Sequence, residues 1–336
     1  MTLTEKALNY WFVMDAVIYR YMNYIQKLQS FDINTMPDLD VAVMGALDLL
    51  GECDLPKLKL DQFERPLVVG SGNAAMTGRI LFADEDAVFA TESTYRQKLN
   101  SNDAIDGIVI ISASGSKHAT TIAKSAIQAE LPVLLITTTP NSPAEAELDS
   151  DNSTVVVFPK NREPYTYNTS TYLGMILAKT GEDPRMIKRF IDEHLAVINY
   201  EQFADYDKFF MILPSQFAEV VPMIDTKFIE LFGRQIARDV NTSEYMMHAT
   251  TVVPGEELFI SFGKENTMWG SPDSRLHVPL PDNATYGAMM AIGYWVVGQI
   301  QKQQPDYFKQ NIESYTQKIS ESFGIDIQPV VPAGDV

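Results

Sequence analysis

The chain has 336 residues, enough for two domains of ordinary size or one large one, each with its own core. Hydrophobic residues make up 46% of the chain and charged residues 21%, a composition typical of globular rather than disordered proteins. Aspartate and glutamate outnumber lysine and arginine by 44 to 26, a formal charge of −18 that no basic run offsets, which argues against electrostatic binding of nucleic acid or anionic lipid.

The cysteine count and the apolar runs bear on the compartment. Cys53 is the single cysteine, so the chain has neither an intrachain disulfide nor a cysteine-rich metal site, which fits a reducing cytoplasm. The N-terminal residues lack the basic start and pure apolar run of a signal peptide. The longest apolar stretch, residues 286–300, is shorter than the ~20 residues of a membrane span. We therefore expect a cytoplasmic protein that contacts no membrane.

Helical patterning comes first along the chain. Apolar residues recur at helical spacing over residues 8–19 and again over residues 39–50, and Asn and Pro interrupt the pattern near residues 30–38. The spacing predicts two introductory helices. They belong to an N-terminal helical extension over residues 1–58.

Short apolar runs alternate with longer helical segments from Pro66 onward. The runs PLVV, GIVIIS, LPVLLIT and STVVVF lack polar alternation, which predicts strands buried on both faces of a parallel sheet. KFFMIL, ELFISF and LHVPL repeat this pattern more faintly in the later part of the chain. The similarity of VIISASGSK to LFISFGKEN indicates an internal duplication in which only the first copy kept its serines. We predict two similar α/β domains, over residues 59–202 and 203–336.

The turn after the first predicted strand contains a short glycine motif. In VVGSGNAAMTGRI, Gly70, Gly72 and Ala75 have the spacing of a dinucleotide-binding G-x-G-x-x-A motif, and Glu92 lies near the distance expected for an acid that binds a ribose hydroxyl. The motif alone is weak evidence, because glycines show only that the backbone turns tightly or approaches something closely. A nicotinamide-dependent oxidoreductase therefore stays open as an alternative.

A later strand ends in residues 112–117, the serine loop, which runs directly into a helix. Ser112, Ser114, Gly115 and Ser116 would converge with free helical N–H groups at the carboxyl end of a parallel strand, where open α/β sheets bind ligands. This combination predicts a phosphate cradle, to which the next residue, a lysine, could add positive charge. A serine that caps the helix is the structural alternative, but capping accounts for one serine and not three.

The predicted helix in MIDTKFIELFGRQIARD has a polar stripe. Lys227, Glu230, Arg234 and Arg238 fall on one face, and apolar residues fall on another. From these residues alone, the stripe is best explained as a solvated face with a Lys–Glu ion pair that contributes roughly a few tenths of a kcal/mol.

Three loops and this helix occur in an order that resembles the sugar isomerase (SIS) family of phosphosugar-binding proteins. The shared features are S-x-S-G at residues 112–115, GSGN at residues 70–73 and PYTYNTSTYLGM from Pro164. Over roughly residues 60–315 the chain is similar to the bifunctional phosphoglucose/phosphomannose isomerases and to the isomerase half of glucosamine-6-phosphate synthase. The resemblance implies two tandem α/β/α sandwiches with mostly parallel five-stranded sheets, preceded by N-terminal helices.

The resemblance also implies catalytic roles. In the aminosugar synthase branch this helix carries a catalytic K-x-x-E, and a later histidine opens the sugar ring; Lys227, Glu230 and His248 match this pattern. His248 lies 18 residues after Glu230, further than the family spacing, so an insertion is assumed. Glu230 would move a proton between C1 and C2 through a cis-enediol, His248 would open the ring, and Lys227 would steady the enediol oxygen. The family's histidine commonly comes from the neighbouring subunit, which implies a homodimer, and no metal or organic cofactor is required.

The implied substrate contacts include departures from the family pattern. Lys117 replaces the threonine with which the phosphate loop usually continues, and Asn73 stands where the aminosugar branch often has serine. The Pro-Tyr pair at residues 164–165 replaces a Pro-Arg pair of the bifunctional isomerases, which argues against a simple phosphoglucose isomerase and leaves Thr169 and Ser170 as contacts to sugar hydroxyls. The predicted binding residues are Gly70, Ser71, Gly72, Asn73, Ser112, Ser114, Gly115, Ser116, Lys117, Thr169 and Ser170.

Together these features predict a phosphosugar aldose–ketose isomerase that acts on a hexose 6-phosphate. A deglycase that releases an amine from a fructosamine phosphate would use nearly the same enolisation, and the sequence does not separate the two. A non-catalytic phosphosugar sensor would keep the serine loop without needing Glu230 and His248. An oxidoreductase would leave the serine loop without a role. The expected partners are a small sugar phosphate and a second copy of the chain.

Overall fold

The computed structural model of the chain describes residues 23–253 and 255–334. The first predicted helix, over residues 8–19, lies outside this part of the chain. The second predicted helix is present as α2 (Leu39–Glu52), and a short helix, α1 (Tyr24–Ser30), precedes it.

The first sheet has five parallel strands. They are β1 (Pro66–Val69), β2 (Val88–Ala90), β3 (Gly107–Ile111), β4 (Val133–Thr137) and β5 (Ser153–Val157). Every residue of β1, β3 and β4 is buried, as expected for strands covered on both faces. The strand order is β2-β1-β3-β4-β5, so the loops that follow β1 and β3 lie side by side at the carboxyl edge of the sheet.

The second sheet repeats this arrangement with one strand fewer. Its strands are β7 (Lys208–Leu213), β8 (Ala237–Thr242), β9 (Leu258–Phe262) and β10 (Arg275–Val278). Their order, β8-β7-β9-β10, matches β2-β1-β3-β4, and all neighbours are parallel. The prediction of five strands is wrong for this sheet as far as the chain is described, because after β10 the chain passes through two prolines into a long helix. The matching order supports the internal duplication.

A small antiparallel pair and nine further helices complete the described fold. The pair consists of β6 (Glu163–Pro164) and β11 (Val330–Val331). The helices are α3 (Asn73–Leu81), α4 (Tyr95–Asn100), α5 (His118–Gln128), α6 (Thr169–Thr180), α7 (Pro184–Phe190), α8 (Val221–Phe232), α9 (Ser243–Ala249), α10 (Tyr286–Gln303) and α11 (Tyr307–Phe323).

One apolar core joins the two sheets through α10. This helix is buried over most of its length and packs against α2, α6 and α8. One face of each sheet contributes to the core, with Val68 from the first and Phe209 from the second, while the other faces have smaller clusters of their own. Gly298 lets α10 approach α2 closely, because a Cβ there would lie 2.3 Å from Asp40 N. Among the described residues, no helix is both long and apolar enough to cross a membrane.

Candidate functional site

The serine loop connects β3 to α5 at the carboxyl edge of the first sheet. Gly115 N donates a hydrogen bond to Ser112 Oγ at 3.2 Å, and Ser114 Oγ and Ser116 Oγ lie 2.7 Å apart. Gly115 has a φ of 56°, and a Cβ there would lie 2.3 Å from Ser142 Oγ, so this conformation requires glycine. The loop presents two adjacent hydroxyls beside the first turn of α5, whose N–H groups favour an anion.

A cavity of about 370 Å³ opens on the serine loop. The loop forms one wall, and Gly70 and Ser71 from the turn after β1 form another, because β1 and β3 are neighbours. Tyr165, Tyr172 and Phe323 contribute aromatic surface. The structure thus brings six of the predicted binding residues to one cavity, namely Gly70, Ser71, Ser112, Ser114, Ser116 and Lys117. A small anionic molecule fits the chemistry of these walls.

Charged side chains line the same cavity. Glu92, just after β2, accepts a hydrogen bond from Ser71 Oγ, and its carboxylate lies 3.7 Å from His118 Nε2. Lys117 Nζ lies 4.2 Å from the centroid of the Phe323 ring, near the end of α11. Glu92 is therefore engaged with the neighbouring turn, and Lys117 rests on an aromatic ring from which it can turn toward an anion.

Two residues of the predicted GSGN contact do not line this cavity. Gly72 precedes α3 with a φ of 54°, which lets the backbone enter the helix. Asn73 is buried, and its side-chain amide donates to Tyr294 Oη at 3.3 Å. Both residues shape the turn that carries Ser71, and neither residue lines the serine loop's cavity.

Thr169 and Ser170, predicted as contacts to sugar hydroxyls, begin α6 and line neither the serine loop's cavity nor the cavity of Glu230 described below. Both are fully buried. Their N–H groups donate to the Glu163 carboxylate at 2.6 and 2.8 Å, and Ser170 Oγ donates to it at 2.6 Å. Burial raises the pKa of Glu163 above its ordinary value, against the opposing effect of these hydrogen bonds. These groups therefore already have an acceptor within the chain, because the Glu163 carboxylate occupies this helix N-terminus.

Lys227 and Glu230 form an ion pair one turn apart on α8, with Lys227 Nζ 2.7 Å from Glu230 Oε2. Lys227 is fully buried, and its Nζ also donates to Thr166 O at 2.5 Å. The Glu230 side chain retains 23% exposure. Burial raises the pKa of Glu230 above its ordinary value, although the charge and hydrogen bond of Lys227 lower it. Glu230 is therefore a stronger base than an ordinary glutamate, and Lys227 lines neither cavity described here.

Glu230 lines a second cavity of about 370 Å³ between α8 and α11, together with Thr166 and Tyr315. Tyr165 and Tyr172 line the serine loop's cavity, and the ring centroids of Tyr165 and Tyr315 lie 6.3 Å apart. Burial raises the pKa of Tyr172, and the charge of Glu230 adds to this effect. Glu230 and the serine loop are thus adjacent but separate, with a layer of tyrosine side chains between their cavities.

His248 and Glu230 lie toward opposite ends of the second sheet. The helix α8 begins past the carboxyl end of β7, and at about 1.5 Å per residue Glu230 lies about 14 Å along it from Val221. The helix α9 begins directly after β8, at the carboxyl edge, and carries His248 on its exposed surface. Tyr245 and Met247 on the same helix are 58% and 67% exposed. Within one chain, the structure does not bring His248 to the Glu230 cavity.

The loop after β9, the counterpart of the serine loop, is closed on itself. Ser261 Oγ accepts a hydrogen bond from Asn266 N at 3.0 Å, and Asn266 Oδ1 accepts from Met268 N and Trp269 N, each at 3.0 Å. This loop therefore offers no row of hydroxyls to a ligand. In the described part of the chain, no group of three or more His, Cys, Asp or Glu side chains could hold a metal ion.

Several residues at the two cavities were not predicted. Tyr165 and Thr166 belong to the segment that contains Thr169 and Ser170, and only these last two were predicted as contacts. Phe323 comes from the terminal helix, where an apolar residue beside a glycine indicates only a helix end. Glu163, which lines neither cavity but caps α6, precedes a proline and carries no motif. None of these residues has a sequence signal that separates it from ordinary loop or helix residues.

Solved structures match the chain over most of its length, whereas no protein-family model and no curated protein sequence matches it. A glucosamine-6-phosphate deaminase from Thermotoga maritima is 14% identical with a TM-score of 0.58, covering 81% of this chain and 95% of that one. A tagatose-6-phosphate ketose/aldose isomerase from Escherichia coli is 13% identical with a TM-score of 0.56, covering 85% and 91%. The C-terminal domain of glucosamine-fructose-6-phosphate aminotransferase from Francisella tularensis is 13% identical with a TM-score of 0.54, covering 84% and 96%. The resemblance to the phosphosugar-binding α/β fold is thereby confirmed at the level of the fold.

Proposed function

We propose that the chain is a sugar-phosphate isomerase that interconverts an aldose and a ketose carrying a 6-phosphate. One observation carries the proposal: a cavity lined by serine hydroxyls and a helix N-terminus adjoins the cavity of a partly exposed glutamate whose pKa is raised. Structures of the same fold include a protein named as a ketose/aldose isomerase of a hexose 6-phosphate. This supports the reaction class without identifying the sugar.

The phosphate is assigned to the serine loop. Ser114 and Ser116 would donate their hydroxyls, and the N–H groups of the first turn of α5 would add fixed partial positive charge. Lys117 would turn from the Phe323 ring to the phosphate oxygens. A dianion bound in this way holds the rest of the sugar in register, which is the contribution that remote binding makes to catalysis.

The proton transfer is assigned to Glu230. Its carboxylate would take the proton from C2 of the open aldose while the C1 carbonyl oxygen gains a proton, which forms a cis-enediol. Return of the proton to C1 and loss of the proton from the C2 hydroxyl give the ketose, so no other reactant is consumed. The sugar must extend past Tyr165 to bring C1 and C2 to Glu230, since this side chain lies between the serine loop and the second cavity.

Ring opening is assigned to His248 of a second copy of the chain. Imidazole titrates near neutral pH and suits a proton shuttle between the ring oxygen and a hydroxyl. Because His248 and Glu230 lie at opposite ends of the second sheet, the histidine of the same chain does not serve this site. The exposed Tyr245 and Met247 beside His248 favour a protein interface on this surface. The functional unit in this proposal is a homodimer.

A ligand screen tests this assignment against its alternatives. The purified protein is mixed in D2O separately with the 6-phosphates of glucose, mannose, fructose, glucosamine and fructosamine and with NAD(H), and the C1 and C2 proton signals are followed by NMR together with thermal stability. Exchange with one of these sugars supports the isomerase and identifies the substrate. Stabilisation without exchange supports a phosphosugar sensor, release of an amine only from a fructosamine 6-phosphate supports a deglycase, and stabilisation by NAD(H) alone contradicts the proposal.

A further inference from the structure

The turn between β6 and α6 contains a residue in an unfavourable backbone conformation. Thr166 has a φ of 78°, and it is the only β-branched residue among the described non-glycine residues with positive φ. A branched Cβ makes this conformation costly, and such residues persist where their surroundings fix them. Thr166 lines the Glu230 cavity, and its Oγ1 is buried without a hydrogen-bond partner.

Contacts from three parts of the fold hold this turn. Lys227 Nζ donates to Thr166 O at 2.5 Å. Tyr165 N donates to Pro329 O at 2.8 Å, and Tyr167 Oη donates to Pro37 O at 3.0 Å. The contact from Lys227 differs from the other two, because it comes from a charged group and acts on the strained residue itself.

The surroundings of Lys227 explain why a lysine is buried here. Its ammonium group carries three donors, of which one is given to Thr166 O and one to Glu230, and the group also lies 5.3 Å from the centroid of the Tyr294 ring. Its charge also lowers the pKa of the buried Glu163, which caps the helix after the turn. An ammonium group placed in this way joins the turn to the glutamate and has no open path to a ligand.

We propose that Lys227 is a positioning residue that pins the strained Thr166 turn against Glu230, so that the turn and the carboxylate keep fixed places on the wall of one cavity. In this assignment Lys227 does not touch the substrate, in contrast to the charge-steadying role that the family resemblance implies. That Lys227 holds the turn is inferred from the contacts described above. That this contact affects catalysis rests on the proposed function.

A pair of variants at Thr166 tests the strain without any assay of activity. T166A removes the hydroxyl and the methyl branch but keeps a Cβ at positive φ, whereas T166G removes the Cβ as well. We expect T166G to unfold at a higher temperature than T166A, although glycine ordinarily lowers stability relative to alanine. Equal midpoints, or a lower midpoint for T166G, would overturn the proposal.

Combining these variants with K227M tests whether the contact from Lys227, called the pin below, holds the turn in its strained conformation. If Lys227 holds a strained turn, the turn relaxes when K227M removes the contact, and the released strain offsets part of the lost stability. K227M should therefore lower the unfolding midpoint by clearly less in the wild-type and T166A backgrounds than in the T166G background, which has no strain to release. Equal losses in all three backgrounds contradict the pin. Should K227M fail to fold in the wild-type background, the losses in the T166A and T166G backgrounds decide, and failure to fold in these backgrounds as well counts against the proposal.

The catalytic part is measured with fructose 6-phosphate, as the rate of proton exchange at C1 on the pH plateau where Glu230 is ionised. K227M is expected to lower kcat in the T166A background at least tenfold more than in the T166G background, with little change in KM. An equal loss of kcat in both backgrounds would assign Lys227 a direct role. If the wild-type protein shows no exchange with any hexose 6-phosphate, the proposed function fails, and the unfolding midpoints still decide the pin.

Discussion

Among single residues, Glu230 is the proposed base, and its raised pKa predicts how the isomerisation rate depends on pH. The carboxylate acts as a base only when it has lost its proton, so kcat/KM should fall as pH decreases through its pKa. Because burial raises this pKa above the ordinary glutamate value of 4.5, the fall should begin at a higher pH than for an exposed glutamate. The measurement is a pH–rate profile of the isomerisation.

A variant of Lys227 tests whether the pH dependence of the rate comes from Glu230. Its charge lowers the pKa of Glu230, so K227M in the stable T166G background should move the acidic limb of the profile to still higher pH. A limb that stays in place in this variant would show that the profile reports a group other than Glu230.

Ser114 allows a test of the phosphate site. It is exposed and contacts Ser116, so S114A should leave stability almost unchanged. The loss of one hydrogen bond to a charged phosphate should weaken binding of a hexose 6-phosphate by about 1.5–3 kcal/mol, roughly ten- to a hundredfold. Isothermal titration measures this effect, and S150A, at another exposed serine, serves as the matched control. Equal affinity of the two variants would place the phosphate elsewhere.

The serine loop was predictable from the sequence, whereas the neighbouring hydroxyls were not. Three serines and a glycine after a buried strand have one favourable arrangement, because the strand end and the helix N-terminus meet there. Thr169 and Ser170 have the same residue types before a helix, but Glu163 satisfies their N–H groups. Which carboxylate folds back onto a helix end depends on tertiary contacts. Likewise, helical spacing places Lys227 on a polar stripe with Arg234 and Arg238, but α8 ends at Phe232, so both arginines lie beyond the helix, and Lys227 faces the protein interior.

At the scale of elements, the contact between α10 and α2 is a sensitive point of the fold. A Cβ at Gly298 would lie 2.3 Å from Asp40 N, a backbone atom that cannot move aside. We expect G298A to destabilise the protein by about 1–3 kcal/mol, because the helices must separate. Urea unfolding measures the effect.

Gly174 on α6 provides the comparison for G298A. A Cβ at Gly174 would meet the Leu50 side chain at 3.1 Å, and a flexible side chain can shift. G174A should therefore cost clearly less stability than G298A. The opposite ranking would show that the packing of α10 on α2 does not limit the stability.

Four strands of the first sheet could be predicted from apolar runs in the sequence, whereas β2 (Val88–Ala90) has no such run. Unbroken runs such as GIVII and VLLIT are too short for buried helices and too apolar for an exposed surface. The second sheet was harder to predict, since the expectation of a fifth strand came from family resemblance and not from an apolar run. The chain has no such run between β10 and α10, where Pro279 and Pro281 stand instead.

At the scale of the whole molecule, the separation of His248 from Glu230 predicts complementation between subunits. E230Q and H248A should each be nearly inactive alone. After the two are unfolded together and refolded, half of the dimers should be mixed and hold one site with both residues intact, which restores about a quarter of the wild-type activity. The assay is proton exchange with the sugar identified in the ligand screen.

A mixture of E230Q with S114A is the matched control for complementation. These two residues belong to the same chain's site, so every site in a mixed dimer keeps one defect and no activity beyond that of S114A should return. Restoration in this control, or none in the mixture of E230Q with H248A, would contradict a histidine supplied by the partner subunit.

The placement of His248 shows what sequence reasoning misses at this scale. Spacing along the chain associated His248 with Glu230, but the helix and strand between them carry the chain from one end of the second sheet to the other. Whether two residues share a site depends on the direction of the connecting elements. The resemblance to a family named the residues, and the topology shows that His248 and Glu230 of one chain lie apart.

The most direct test of the account is solvent-deuterium incorporation into a hexose 6-phosphate by the wild-type protein and by E230Q, with E313Q on the exposed surface of α11 as the control. We expect incorporation at C1 or C2 by wild type and E313Q, and a rate on the order of 10²–10⁴-fold lower for E230Q with the sugar phosphate still bound. Undiminished incorporation by E230Q would contradict the assignment of Glu230 as the base.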